Sequence, residues 1–358
     1  MTERRLALAR NELTSRELDC ILITSYENYR YFSGFTGSNC ALIITQDEYF
    51  AFTDGRYDVQ IRAEAPLFTP VITKRAKAEH ISEFLHQNNI KSVGYEACFI
   101  TDHELRDLKS RNDSASWVPL PNFGENIRAV KEESEIAFIR RAAKIADAAL
   151  SSLVSELKFG MTERECAAFL EYKMATNRSE RPAFETIAAS GERGAMPHAR
   201  PTDNPLPADG LLTLDFGACV GGYMSDITRT LHLGKPCHEL CELWDIVYDV
   251  QQKCIAKAAP GITCRELSEY QRELFSESGM DKYIMHSLGH GVGLAIHEAP
   301  TLAERSSTVL SENMVITIEP GLYIEGLGGV RIEDTVLITS SGAEALTCSP
   351  HRYDITLR

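Results

Sequence analysis

Residues 211–226, LLTLDFGACVGGYMSD, contain the pattern that decides the fold. A short apolar strand with an embedded threonine ends at Asp215, and a glycine pair separates it from a second acid, Asp226. Further along the chain ITIEPG ends another strand at Glu319, and a second glycine pair again precedes an acid, Glu333. A repeat of this length and order predicts a duplicated, pseudo-symmetric half-domain, since chance similarity would have to reproduce every part of it.

The first acid pair is expected to lie on one face of a β-hairpin. A two-residue turn centred on Val220 and Gly221 would set Asp215 directly across from Asp226. A turn shifted by one residue would leave the two acids diagonal, still on the same face. Two carboxylates that close repel each other unless one is protonated or a cation lies between them.

The second acid pair is expected to repeat this arrangement. An odd-length loop centred on Gly326 would set Glu319 opposite Glu333. Four acids from two related hairpins, with a histidine from a glycine-rich stretch, would form a cage for two divalent cations. The alternative is four ordinary acids at strand ends, solvated or paired with Arg229 and Arg331.

Residues 287–298, SLGHGVGLAIHE, supply that histidine. Their seven-residue spacing would stack His290 and His297 on one helical face, but three glycines would each cost about 1 kcal/mol in a helix. Leu294 stands where a nucleotide-binding G-x-G-x-x-G loop needs glycine. The stretch therefore predicts backbone that must pass close to something, with its histidines aimed by tight local geometry.

Bulk composition excludes several classes of protein. The chain has 358 residues, 44% hydrophobic and 25% charged, with a net charge of −14. These values predict two globular domains and argue against nucleic acid or an anionic membrane as partner. The first twenty residues lack the apolar core and small-residue cleavage site expected of a signal peptide, and no apolar run approaches the ~20 residues of a membrane span. The ten scattered cysteines predict reduced thiols in a cytoplasmic protein, although Cys237, His238 and Cys241 could form half of a zinc site.

The chain divides near residues 118–131, VPLPNFGENIRAVK, where prolines and a glycine interrupt the pattern. Residues 1–125 alternate between helical and strand patterns, including a hairpin around Gln46 and Asp47, which predicts an α/β domain with a mixed sheet. Residues 126–358 begin with an amphipathic helix and continue with a second helix capped by Thr162 and Glu165. Short strands and two further helices, at about 238–259 and 263–278, follow. The whole is α/β, or more strictly α+β.

Five motifs in this order resemble the metallopeptidases of the pita-bread fold, and among them the proline-specific branch of aminopeptidase P and prolidase. They are LLTLDFG, GGYMSDITRT, HSLGHGVGLAIHE, MVITIEPGLYI and GGVRIED. In addition, NYRYFSGFTGSNCALII and FTDGRY resemble the creatinase-like amino-terminal domain of proline-specific members. The resemblance covers nearly the whole chain and implies a carboxy-terminal pita-bread catalytic domain.

The resemblance also implies a dinuclear metal site and an activity. The family's five metal ligands match Asp215, Asp226, His290, Glu319 and Glu333. The resemblance implies Mn²⁺ as the bound ion, and Co²⁺ or Zn²⁺ would also suit these ligands. Such a site would generate a hydroxide that attacks the carbonyl before proline, with Glu319 as proton acceptor.

Three further side chains match positions outside the ligand set. His198 and His297 correspond to catalytic histidines that stabilise the oxyanion and move protons, and Arg331 to an arginine that braces the site. His286 is common in the family motif, as a supporting or merely packed residue. Arg305 is a candidate for the substrate's carboxylate, with a surface ion pair as the alternative. Departures from the family pattern at Ala295 and Ala199 predict altered pocket polarity.

The activity implied is that of an Xaa-Pro aminopeptidase, acting on peptides with proline in the second position. An Xaa-Pro dipeptidase is the alternative, because both enzymes share every motif and no further carboxylate anchor stands out in the sequence. The extra domain disfavours a methionine aminopeptidase, and the full ligand set disfavours a metal-free creatinase-like enzyme or a non-enzymatic binding module. The family also implies a homodimer.

Overall fold

A computed structural model describes residues 2–357. By contacts the chain divides into two compact units, Met1–Arg128 and Ala129–Arg358. No helix within residues 2–357 has the length and apolar character that crossing a membrane requires. The predicted α/β class, with a creatinase-like first domain and a pita-bread second domain, is confirmed.

The amino-terminal unit is a six-stranded mixed sheet with helices between the strands. The elements are α1 Thr2–Ser15, β1 Cys20–Ile23, α2 Tyr26–Ser33, β2 Ala41–Thr45, β3 Tyr49–Asp54, α3 Asp58–Glu64, β4 Thr69–Thr73, α4 Lys77–Gln87, β5 Ser92–Glu96, α5 Asp102–Arg111, β6 Ser116–Leu120 and α6 Phe123–Ala129. The strand order is β4-β3-β2-β1-β5-β6, with β2 antiparallel to β1 and β3. Because Ile44 pairs with Tyr49, the predicted turn around Gln46 and Asp47 is confirmed.

The carboxy-terminal unit begins with two helices. The elements are α7 Glu133–Glu156, α8 Glu163–Thr176, β7 Ile187–Ser190, β8 Gly210–Phe216, β9 Cys219–Val220, β10 Tyr223–Met224, β11 Ile227–Leu233, α9 His238–Lys257, α10 Cys264–Glu277, β12 Gly289–Gly291, β13 Glu298–Leu302, β14 Val315–Ile318, β15 Gly321–Ile324, β16 Gly328–Arg331, β17 Asp334–Thr339, β18 Gly342–Ala345 and β19 Asp354–Ile355. The apolar stripe predicted for α7 is buried along its whole length, and the capping box of Thr162 and Glu165 starts α8.

This unit is built from two halves with the same plan. Each half places two helices before a hairpin: α7 and α8 before the β8–β11 hairpin, and α9 and α10 before the β14–β17 hairpin. Each half has its own apolar core, one around α7, α8 and β8, the other around α9, α10 and β14. The second helix of each half begins alike, GMTERE at residues 160–165 and GITCRE at 261–266, both with capping boxes. The duplication inferred from the acid motif thus extends to the helices.

The first hairpin adopts the diagonal arrangement. Val220 pairs with Tyr223, so the turn is Gly221-Gly222, whose φ values of 61° and 83° fit a type I′ turn. Asp215 consequently pairs with Thr228 rather than with Asp226. The two acids lie two residues out of step on the same face.

The second hairpin sets its acids directly opposite, as predicted. Ile324 pairs with Gly328 across a three-residue loop centred on Gly326, and Ile318 pairs with Asp334 in the same register. Glu319 therefore faces Glu333. The two glycine pairs are not equivalent, because Gly221-Gly222 forms a turn whereas residues 328 and 329 lie within strand β16.

Candidate metal centre

The ends of the two hairpins meet in a cavity of about 620 Å³. Asp215 is in β8 and Asp226 directly precedes β11, whereas Glu319 follows β14 and Glu333 precedes β17. Pseudo-symmetry thus delivers two acids from each half to one place. The cavity lining includes the five predicted metal ligands and the three further residues predicted to act in catalysis: Asp215, Asp226, His290, Glu319, Glu333, His198, His297 and Arg331.

Asp226, His290 and Glu333 form the tightest cluster of donor atoms. One ligand atom from each lies within 4.8 Å of the others. His290 Nε2 lies 3.7 Å from Asp226 Oδ2 and 3.3 Å from Glu319 Oε1. Thr228 Oγ1 donates to Glu333 Oε2 at 2.6 Å, which fixes that carboxylate. Carboxylate oxygens with one imidazole nitrogen suit hard to borderline divalent cations.

Asp215 is held from one side and open on the other. Its Oδ2 accepts a 2.6 Å hydrogen bond from Arg331. Its Oδ1 is buried and accepts no hydrogen bond among the described residues. Because a buried carboxylate oxygen is costly without a partner, this atom fits a metal ligand.

The electrostatics of Asp226 and Glu333 also favour a bound cation. Burial, and then the charges of Glu333 and Asp215, raise the pKa of Asp226 well above its ordinary value. Burial, and then Glu319 and Asp215, do the same to the pKa of Glu333. A cation among these oxygens would reverse the repulsion and favour the ionised forms. The donor set therefore fits divalent metal ions.

Glu319 differs from the other three acids in the direction of its pKa shift. Burial opposes its ionisation, but the hydrogen bond and charge of His290 outweigh burial and lower the pKa of Glu319. Thr317 Oγ1 donates to Glu319 Oε1 at 3.2 Å and accepts from the backbone N–H of His290 at 3.0 Å. The threonine of the repeated motif thus orients both groups, a role that the sequence pattern did not reveal.

The glycines around His290 serve close approach. A Cβ at Gly289 would clash with the carbonyl oxygen of Thr317, one at Gly291 with that of Ala299, and one at Gly293 with the Glu298 carboxylate. Strand β12 therefore fits between β13 and β14 only because residues 289 and 291 have no side chains, and Gly293 leaves room for the Glu298 carboxylate. The close passage predicted from the sequence is confirmed.

His286 and Arg331 at the cavity are joined by hydrogen bonds through the Tyr323 hydroxyl. His286 Nε2 lies 2.7 Å from the Tyr323 hydroxyl, which accepts from Arg331 at 2.9 Å. Arg331 also donates to the Pro197 carbonyl at 3.2 Å. The rings of His290 and His297 pack edge to face, with centroids 4.3 Å apart. Tyr323 was missed by sequence reasoning, since a lone tyrosine carries no signal.

Two arginines are placed differently from the sequence expectation. Arg305 lines a second cavity of about 380 Å³, not the one that holds the acids. Arg200 lines the acid cavity, with an exposed side chain 3.2 Å from Glu185. Sequence reasoning passed over Arg200, although it lies two residues after His198. Ala199 lines the cavity, whereas Ala295 donates its N–H to Glu298 at 3.3 Å.

Fold and site together define the class of protein: a pita-bread fold with an acid-rich cavity whose donor atoms fit divalent metal ions. Residues 137–340 match metallopeptidase family M24, and residues 5–130 match the creatinase/prolidase N-terminal domain. The chain belongs to metallopeptidase family M24.

The chain is also similar to individual proline-specific peptidases. The chain is 39% identical to an Xaa-Pro dipeptidase of Pyrococcus furiosus, over 94% of this chain and 95% of that protein. Its fold matches an Xaa-Pro dipeptidase from Bacillus anthracis with a TM-score of 0.95 and 35% identity, over 99% of each chain. It also matches an X-Pro aminopeptidase from Thermotoga maritima with a TM-score of 0.87 and 35% identity, over 95% and 98%.

Proposed function

We propose that this chain is a metal-dependent Xaa-Pro dipeptidase, which hydrolyses the bond between the first residue of a dipeptide and its proline. The observation that carries this proposal is the cavity in which four carboxylates and a histidine converge. Dipeptidases among its relatives favour this activity over the aminopeptidase expected from the sequence. The aminopeptidase preference rested on the lack of a carboxylate anchor, and Arg200 at the cavity now supplies a candidate.

The residues that would hold two divalent ions are Asp215, Asp226, His290, Glu319 and Glu333. The chemistry such ions supply is Lewis acidity and a water of lowered pKa. Mn²⁺ is the proposed native metal, with Co²⁺ and Zn²⁺ also suited to the ligands. We further propose a cytoplasmic homodimer.

The chain's own groups bind the substrate, orient it and move protons. Glu319 is the proposed proton acceptor, because its carboxylate lies in the cavity beside His290 and the other acids. His198 and His297 line the cavity and would donate hydrogen bonds to the carbonyl oxygen as charge develops there. Arg331 fixes Asp215 and the Tyr323 hydroxyl.

The cavity wall also fits proline. Phe184, Ile187 and Ile296 contribute apolar surface to the lining. The proline nitrogen of an Xaa-Pro bond carries no hydrogen, so a proline subsite needs apolar contact with the ring rather than a backbone acceptor for an N–H. Arg200 at the same cavity would pair with the carboxylate of a dipeptide.

A substrate comparison tests the proposal. Purified protein supplied with Mn²⁺ is assayed with an Xaa-Pro dipeptide, an Xaa-Pro-Xaa tripeptide and an Xaa-Ala dipeptide. We expect only the Xaa-Pro dipeptide to be hydrolysed efficiently. Equal or faster cleavage of the tripeptide would establish an aminopeptidase instead, and cleavage of none, with any of the three metals, would refute the peptidase assignment.

Replacing Arg200 tests the anchor separately. Arg200→Ala should raise KM for the Xaa-Pro dipeptide about tenfold or more and leave KM for its carboxamide nearly unchanged, because only the acid has a charge to pair. Arg305→Ala, outside the cavity lining, is the matched control and should leave both values unchanged. Equal effects of Arg200→Ala on acid and amide would show that Arg200 does not bind the carboxylate.

A further inference from the structure

Glu163, the first residue of α8, is fully buried, and its carboxylate accepts five hydrogen bonds. Its Oε1 accepts from the Ser190 N–H at 2.8 Å and the Ser190 hydroxyl at 3.0 Å. Its Oε2 accepts from the Thr202 N–H at 3.0 Å, the Thr202 hydroxyl at 2.7 Å and Arg193 Nε at 3.1 Å. A buried carboxylate is tolerated only when it is bonded this fully.

These bonds close one loop at its base. Ser190 ends strand β7, and Thr202 lies beyond the segment 191–201, which we call the His198 loop. Arg193 ties the loop internally, because it also donates to the Arg200 carbonyl at 2.6 Å. One carboxylate thus joins both ends of the segment that presents His198 to the cavity.

The opposite side of the His198 loop rests on the ribbon β15–β16. A Cβ at Gly329 would clash with the carbonyl oxygen of Gly194, so the two backbones are in direct contact. Arg331, on the same ribbon, donates to the Pro197 carbonyl at 3.2 Å. The loop is therefore held between Glu163 and the strand that carries Arg331, which explains the glycine pair before Glu333.

The other half of the fold shows that this acid is not needed to start the helix. In GITCRE the residue equivalent to Glu163 is Cys264, and α10 begins with the same threonine-glutamate capping box as α8. The carboxylate is present only in the half where the His198 loop must be held.

We propose that Glu163 is a positioning residue, which acts on the reaction by fixing the His198 loop so that His198 faces the substrate carbonyl. The inference rests on the proposed function for its catalytic readout, but the geometry of the loop can be tested without it. Glu163 is not among the cavity-lining residues, so its effect must pass through the loop.

A double-mutant cycle with the metal-loaded protein tests this role. Glu163→Gln keeps the size of the side chain and should lower kcat for an Xaa-Pro dipeptide about 10- to 100-fold, with metal content unchanged. In a His198→Ala background the same substitution should have little further effect, since both changes remove one function. Cys264→Ala, the matched control in the other half, should stay within about twofold of the parent protein.

Amide hydrogen exchange of the His198 loop gives a readout independent of activity. Exchange over residues 191–201 should accelerate in Glu163→Gln and, to a lesser extent, in Thr202→Val. The valine removes one of the five hydrogen bonds, so this variant keeps the test possible if Glu163→Gln does not fold. Unchanged exchange in both variants, or a loss of kcat that multiplies with that of His198→Ala, would overturn the proposal. If the parent protein hydrolyses no Xaa-Pro substrate, the proposed function fails while the exchange result still decides the role of Glu163.

Discussion

His290 and His297 lie in ring contact, yet their surroundings assign them different chemistry. His290 Nε2 is within 3.7 Å of two carboxylates, Asp226 and Glu319, and its Nδ1 lies 3.1 Å from the Gly291 carbonyl. A histidine oriented by a carbonyl at one ring nitrogen commonly binds metal through the other. His297 is an exposed residue that lines the cavity, so it is available to a substrate.

Replacing each histidine by alanine separates the two roles. His290→Ala should lower the amount of bound metal and abolish turnover. His297→Ala should retain the metal and lower kcat about 10²- to 10³-fold, as expected for loss of a hydrogen bond to developing charge. Metal is measured by elemental analysis after gel filtration, and an equal loss of metal in both variants would contradict this division.

Another residue-scale feature is a buried ion pair beside the His297 segment. Lys131 Nζ lies 2.9 Å from Glu298 Oε1, with the side chains 0% and 1% exposed. Glu298 directly follows His297 and accepts from the Ala295 N–H. Breaking such a buried pair by removing one partner is strongly destabilising.

Lys131→Met should therefore lower the free energy of unfolding by about 3–5 kcal/mol, measured by denaturant titration. The control is Arg140→Met, which breaks the exposed pair with Glu344, 38% and 47% exposed, and should cost less than about 1 kcal/mol. The double variant Lys131→Met/Glu298→Gln should recover part of the loss, because it removes the buried charge of Glu298 together with that of its lysine. A loss no larger than that of the control would show that the pair contributes little.

At the scale of elements, periodicity and turn chemistry predicted most of what forms locally. The glycine pair of residues 221 and 222 indicated a tight turn, and an odd loop around Gly326 gave the right register for Glu319 and Glu333. The pattern could not show that Gly329 serves contact with another segment, because Gly194 is far away in sequence. The hydrogen bond between Tyr323 and His286 and the attachment of the His198 loop to Arg331 likewise join segments that are distant in sequence, so the pattern did not reveal them.

The His198 loop also gives a prediction for pH. Burial opposes ionisation of Glu163, but hydrogen bonds from Thr202 and Ser190 outweigh it and hold the pKa of this carboxyl below its usual value. A depressed folded-state pKa contributes stability above the unfolded pKa of about 4.3, and that contribution is lost as pH falls through the folded value.

The free energy of unfolding should consequently differ most between the parent protein and Glu163→Gln near neutral pH, by about 1–3 kcal/mol. The difference should shrink as pH falls below about 4, where the parent carboxyl is protonated as well. Denaturant titrations from pH 7 to 3 measure it, with Cys264→Ala as the control whose difference stays constant. A Glu163→Gln difference independent of pH would show that the charge of Glu163 is not what stabilises the loop.

At the scale of the whole molecule, duplication accounts for the site. Neither half alone brings more than two of the four acids to the cavity, and His290 comes from the second half. The sequence motifs predicted that the four acids lie together, because the repeat implied symmetry. Symmetry places equivalent strand ends side by side. The repeat could not predict how the two halves differ. One such difference is Glu163 in the first half, where the second half has Cys264.

Because acids from both halves line one cavity, metal binding should stabilise the carboxy-terminal unit. Without cations, burial and mutual repulsion raise the pKa values of Asp226 and Glu333 well above their ordinary values, so ionised acids destabilise the contact between the hairpins. Ions that bind only the folded state at about 1,000 times their Kd stabilise it by about 4 kcal/mol. Removal of the metal by a chelator should then lower Tm by on the order of 10 °C, and Mn²⁺ should restore it. The chelator already saturated with Mn²⁺ is the control, and a Tm that does not respond to metal in the parent protein would contradict a metal centre at these five residues.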